Sequence, residues 1–231
     1  MSLTSKIASF AGDIWISWKC VGLWPWPAVI VGRAESKTTG QDYREMSNRI
    51  KPGDMILERG DLFRLSNRGI PESLTYLKHL AVYVGAVDGV RLEEFITSPK
   101  PGNQYKKCII HAISEGVVCQ DILDLFKHSD EIVVVRPWKS THEQNKIIDE
   151  AFNNVGRSYD FSFKSNNEDL YCTELGAKCI QAAGIALPKT VRTRNSLLGL
   201  FFPFDRFKGN VYVADSFVKM YQIIFKSESV R

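Results

Sequence analysis

The apolar positions of this chain come in two rhythms. Between residues 54 and 136 they fall in short β-prone blocks bounded by turn residues, and from residue 141 they fall at helical spacing. Pro52-Gly53 makes a turn into a short strand, Asp54-Met55-Ile56-Leu57-Glu58, which ends at a second turn, Gly60-Asp61. His79-Leu80-Ala81-Val82-Tyr83-Val84-Gly85 is a strongly β-prone run. Asp88-Gly89 reads as a hairpin turn from it into Val90-Arg91-Leu92-Glu93-Glu94-Phe95. Beyond a Pro/Gly/Lys-rich loop at 99–107, Cys108-Ile109-Ile110-His111-Ala112 and Glu131-Ile132-Val133-Val134-Val135-Arg136 complete a middle made of sheet.

Thr141-His142-Glu143-Gln144 then has the spacing of a capping box. The stripe Ile147, Ile148, Ala151, Phe152 and Val155 follows it and is stopped by Gly156. Further on, Asp169 is placed to cap a helix whose residues Cys172, Leu175, Cys179 and Ala183 share one face, with Gly184 as a left-handed stop. Strands followed by helices, without regular alternation, predict an α+β fold rather than a doubly wound sheet. The first fifty residues say least. Ile14–Trp18 and Ala28–Val31 are strand-like and flank Trp24-Pro25-Trp26-Pro27, which reads as aromatic packing or a membrane-facing patch. An apolar tail follows at Leu197–Phe204, and no internal repeat or low-complexity tract is present.

Composition narrows the class. A chain of 231 residues that is 44% hydrophobic buries a full core as one domain with extensions, or at most two small domains. A net charge of +4 with no basic cluster interleaved with aromatics argues against nucleic acid as a partner. Asp13 interrupts any signal-like apolar run after Lys6, and Lys19, Pro25 and Pro27 break residues 7–33 as a spanning helix. The five cysteines have neither paired spacings nor a cysteine–histidine grouping at zinc spacing. The expectation is therefore a reduced, cytoplasmic compartment, no metal and no cofactor. Nothing in the pattern sets an oligomeric state.

Chemistry concentrates at Cys172. The first turn of a helix offers unpaired amides and the positive end of a dipole, both of which favour a thiolate. A free thiol, with a pKa of about 8.5, also needs a base to attack efficiently at neutral pH. Of the four histidines, His128 and His142 lie in polar surroundings, whereas His79 and His111 sit in apolar strands, where a polar ring must find a partner. A helix-start thiol, a strand imidazole and a second strand residue to orient it make up the thiol–imidazole–orienter arrangement, which recurs in permuted chain orders.

These residues carry a family resemblance over about 50–190. His79–Gly85 followed by Ile109–Val117 resembles the histidine half of the NlpC-type, papain-like cysteine peptidases. Tyr159-Asp160 and Tyr171-Cys172-Thr173-Glu174-Leu175 resemble the cysteine half. The cysteine half here follows the histidine half, which is the order of the circularly permuted, YiiX-like branch. The resemblance implies Cys172 as nucleophile, His79 as general base and then acid, and His111 as the residue orienting His79. In the permuted branch that third place is often glutamate, and Glu115 is the nearby alternative. It also implies an oxyanion met by the Cys172 amide with help from the Tyr159 or Tyr171 hydroxyl. Glu174 is the candidate contact for a substrate amine.

The expected organisation is an N-terminal extension at 1–49, a permuted papain-like amidase domain at 50–190, and a C-terminal apolar extension at 191–231 packed on it. The expected activity is hydrolysis, through a Cys172 thioester, of an amide bond in a peptide-like or small-molecule substrate, whether peptide, isopeptide or cell-wall fragment. Two alternatives use the same scaffold: a lipid acyltransferase or thioesterase touching acyl chains or a membrane surface through Trp24–Trp26 and Leu197–Phe204, and a binding module without catalysis.

Overall fold

The computed structural model describes residues 37–60, 75–87, 106–127, 129–160, 169–193 and 209–228. The expected strands at 14–18, 28–31 and 90–95, the Asp88-Gly89 turn, the Trp24–Pro27 patch, His128 and the Leu197–Phe204 tail lie outside these residues. In chain order the elements are α1 (Gly40–Arg49), β1 (Met55–Arg59), β2 (His79–Gly85), β3 (Cys108–Ile113), β4 (Gly116–Asp121), α2 (Ile122–Phe126) and β5 (Glu131–Arg136). They are followed by α3 (Thr141–Asn153), α4 (Cys172–Ala182), β6 (Val191–Thr193), β7 (Gly209–Val211), α5 (Ala214–Met220) and β8 (Gln222–Lys226). Six strands form one antiparallel sheet in the order β4-β3-β2-β1-β5-β8, and β6 pairs with β7 in a separate ribbon.

Both faces of the sheet are buried, which is why its strands read as continuous apolar runs rather than alternating ones. Met55, Leu57, Leu80, Val82, Ile110 and Val133 pack on one side beneath Ile147 of α3, Leu175 and Cys179 of α4, and Phe217 of α5. Ile56, Ala81, Tyr83, Ile109, Ile132 and Val134 pack on the other side with Met46 of α1 and Ile122 and Phe126 of α2. The fold is the expected α+β arrangement of helices on an antiparallel sheet. The last strand, β8, is supplied by residues 222–226 and pairs with β5.

Two helix starts differ from the sequence expectation. In α3 the capping box is Ser140 with Glu143, one residue earlier than Thr141 with Gln144. The Glu143 carboxylate takes the amides of Ser140 and Lys139, and Gln144 instead donates to the Pro52 carbonyl at 2.7 Å. In α4 the N-cap is Tyr171, with no side-chain cap, so Asp169 does not cap the helix. Glu174 accepts the Tyr171 amide and satisfies that end from inside the first turn. The far end closes as expected at Gly184 (φ 72), with the Ile185 amide reaching the Ile180 carbonyl at 3.2 Å.

Candidate active site

At one end, β2 and β3 part. Their register starts at Ala81↔His111, so His79 and Leu80 are not paired with Ala112 and Ile113, although the latter two remain paired with β4. The N-terminus of α4 occupies this opening. Gly176, one turn into α4, lies so close to Leu80 that an added Cβ would sit 2.7 Å from the end of its side chain, which would then have to shift. The consequence is at Cys172, the first residue of α4 and only 4% exposed: its sulfur accepts the backbone N–H of Leu80 in place of a strand partner. A thiol carried on one face of the sheet thereby reaches the residue adjoining His79.

By alternation, His79 shares its face with Ala81, and His111 shares the same face with Ile109. The two rings meet there, His79 Nε2 to His111 Nδ1 at 2.9 Å, with planes 69° apart. His111 Nε2 lies 3.0 Å from Gln120 Oε1, contributed by β4. Glu115 stands elsewhere: it is exposed in the β3–β4 turn and accepts from Ser114 at 2.6 Å.

Tyr159 and Tyr171 flank the thiol from the bridge that joins Tyr159 to Leu170. Burial raises the Tyr159 hydroxyl well above the usual range, and Cys172 and Asp160 add to the effect. The Tyr171 hydroxyl accepts the Tyr212 amide at 3.2 Å, and Thr173 donates to the Tyr212 carbonyl at 2.8 Å, so the ribbon side clasps the start of α4. Glu174 is 7% exposed, and its Oε2 has no hydrogen-bond partner among the described residues. Burial and the nearby Asp160 push Glu174 up to about 7, against the pull of Tyr171 and Lys178.

The electrostatics correct one expectation. The helix start was expected to favour thiolate, yet burial dominates and raises Cys172 to about 11, despite hydrogen bonds from Leu80, Thr173 and its own amide. Burial also lowers His79 well below the usual imidazole range, with His111 adding to the effect, and lowers His111 to about 4. These shifts favour the thiol at Cys172 and the uncharged rings at His79 and His111.

Two residues escaped the sequence reading. Gln120 lies opposite Ile109 in the β3–β4 register and hence on the histidine face. Glu58 lies opposite His79 and is fully buried. Ser129 Oγ donates to Glu58 Oε2, while Oε1 has no partner. Desolvation, with Asp130 next, raises Glu58 well above the usual carboxylate range, and a charge on it would reach the Cys172 thiol. The signal for both was strand parity combined with register, and register is set by pairing between distant segments.

A thiol at the start of a helix packed on an antiparallel sheet, next to a hydrogen-bonded strand histidine, is the arrangement of papain-like thiol enzymes. The chain belongs to the permuted papain-like amidase enzymes of the YaeF/YiiX, C92 family, whose model matches residues 49–199. Among solved structures it is similar to a protein described as metalloprotein yiiX from Escherichia coli O157:H7. The identity is 17% and the TM-score 0.53, over 76% of this chain and 95% of that one. No curated protein matches. Among the described residues no group of three His, Cys, Asp or Glu side chains could hold a metal ion, and no helix is long and apolar enough to cross a membrane.

Proposed function

We propose that this protein hydrolyses an amide bond through a Cys172 thioester, with His79 as base and then acid and His111 orienting it. The observation that carries this reading is the Cys172 sulfur on the Leu80 amide, one residue from an imidazole hydrogen-bonded to a second imidazole. As Cys172 attacks the substrate carbonyl carbon, its proton passes to His79. The carbonyl oxygen takes up the electron pair and faces the Cys172 amide at the start of α4, with the Tyr159 hydroxyl alongside. Protonated His79 then gives its proton to the departing amine, and the C–N bond breaks. Water, deprotonated by the same ring, releases the acid and restores the thiol.

Glu174 supports a substrate with an amino group near the scissile bond. Its unpartnered oxygen is buried beside Asp160, where an ammonium would relieve the crowding of two acids. The substrate class is thus a peptide-like or small-molecule amide.

The test is a panel of short peptide amides, with free and acetylated N-termini, followed by product analysis and by intact-mass trapping of an acyl group on Cys172. Turnover with an acyl adduct, both abolished in Cys172→Ala and lowered at least 100-fold in His79→Ala, is expected. Turnover that persists in Cys172→Ala would overturn the reading.

A further inference from the structure

A pair of neutral imidazoles joined by one N–H···N bond has two hydrogen orders of nearly equal energy. In one order His79 donates from Nε2 to His111 Nδ1, and His79 Nδ1 then carries no hydrogen. In the other His111 donates, and His79 carries its hydrogen on Nδ1. Only the first order leaves a ring nitrogen able to take a proton from Cys172, because Nε2 is already engaged with His111. Something must break the tie.

We infer that Gln120 is the positioning residue that does so, fixing the tautomers of both histidines from β4. Its Oε1 lies 3.0 Å from His111 Nε2. A carbonyl oxygen only accepts, so His111 carries its hydrogen on Nε2 and presents a bare Nδ1, and His79 must then donate across the 2.9 Å contact. The reverse order would lose the bond to Gln120 and set two lone pairs face to face. The β3–β4 ladder holds the device in place: Ile109↔Gln120 and His111↔Val118 are successive register pairs on one face. Gly116 opens the strand at φ +112, and an added Cβ there would fall 2.4 Å from the Arg157 carbonyl.

This inference rests on the thiol–imidazole reading above, and two readouts separate them. The chain has only four histidines, so ring-15N labelling gives a spectrum in which His128→Asn and His142→Asn identify the remaining pair. Nitrogens with and without hydrogen resonate far apart. In the wild type and in Gln120→Glu, where a carboxylate still accepts, both rings are expected with hydrogen on Nε2. In Gln120→Lys, whose ammonium only donates, both rings are expected to invert. In Gln120→Leu the orders mix. Alkylation of Cys172 by iodoacetamide at fixed pH, located by mass spectrometry, should stay within threefold in Gln120→Glu and fall at least tenfold in Gln120→Lys. Histidine tautomers that ignore Gln120→Lys and Gln120→Leu overturn the inference. Tautomers that follow Gln120 while alkylation does not respond uphold the tautomer assignment and instead remove His79 as the base for Cys172.

Discussion

Two carboxyl groups four residues apart at β1 have opposite fates. Asp54 and Glu58 are equally buried, both at 0% exposure. Arg136 grips Asp54 with two bonds, Nε to Oδ1 at 2.8 Å and Nη2 to Oδ2 at 2.7 Å, and the Lys51 amide adds a third at 2.8 Å. Glu58 has the Ser129 hydroxyl on one oxygen and nothing on the other. Burial pushes both acids upward, but Arg136 opposes it at Asp54, whereas Asp130 adds to it at Glu58. Depth alone therefore does not set the charge of a buried acid; the partner does. One end of the strand is a fastened ion pair, and the other, beside His79, keeps polar atoms in reserve.

The sharpest way to break this contrast is to replace the carboxyl at each end by its amide. Asp54→Asn strands the Arg136 guanidinium, and we expect a loss of about 3–5 kcal/mol in urea unfolding. A loss below about 1 kcal/mol would mean that Asp54 is not the fastened end.

Acid sharpens the contrast next. His111 titrates at about 4 in the folded protein, against 6.5 for an unperturbed imidazole. As pH falls through 6.5 the unfolded chain takes the proton first, so stability declines from pH 6.5 to about 4 and this contribution then levels off. His79 pulls in the same direction. The loss should be on the order of 1–3 kcal/mol and should be smaller in His111→Gln, as read from urea midpoints at pH 7 and 4.5.

The smallest effect belongs to Glu58→Gln. Glu58 has no cation to strand and a single hydroxyl partner, which an amide oxygen can also accept, so stability should stay within about 1 kcal/mol of wild type. A cost matching that of Asp54→Asn would erase the distinction between the two ends.

Much of this was legible in the sequence where local signals suffice. β1, β2, β3 and β5 stand out because strands buried on both faces are uninterrupted apolar runs, and β2 and β5 match their expected limits. β4, with Gln120 and Asp121 in its second half, β8, which is mostly exposed, and the polar helix α1 are not among the expected elements. Cys172, His79 and His111 could be picked out one by one, because a thiol at a helix start and an imidazole in an apolar strand are conspicuous locally. Gln120 and Glu58 could not, since each is an ordinary polar strand residue until the register places one on the face of the His111 ring and the other opposite His79. The thiol's pKa failed for a related reason: the helix dipole is written in the sequence, but the desolvation that outweighs it comes from the whole fold.

The sixth strand has a practical bearing on how the protein is handled. The family match ends at residue 199, yet β8, at 222–226, covers one side of β5. A fragment trimmed to the matched segment would leave Glu131-Ile132-Val133-Val134-Val135-Arg136 with a bare row of amides and carbonyls. Three successive valines on an unprotected edge invite pairing with another copy, so such a fragment would be drawn toward aggregation.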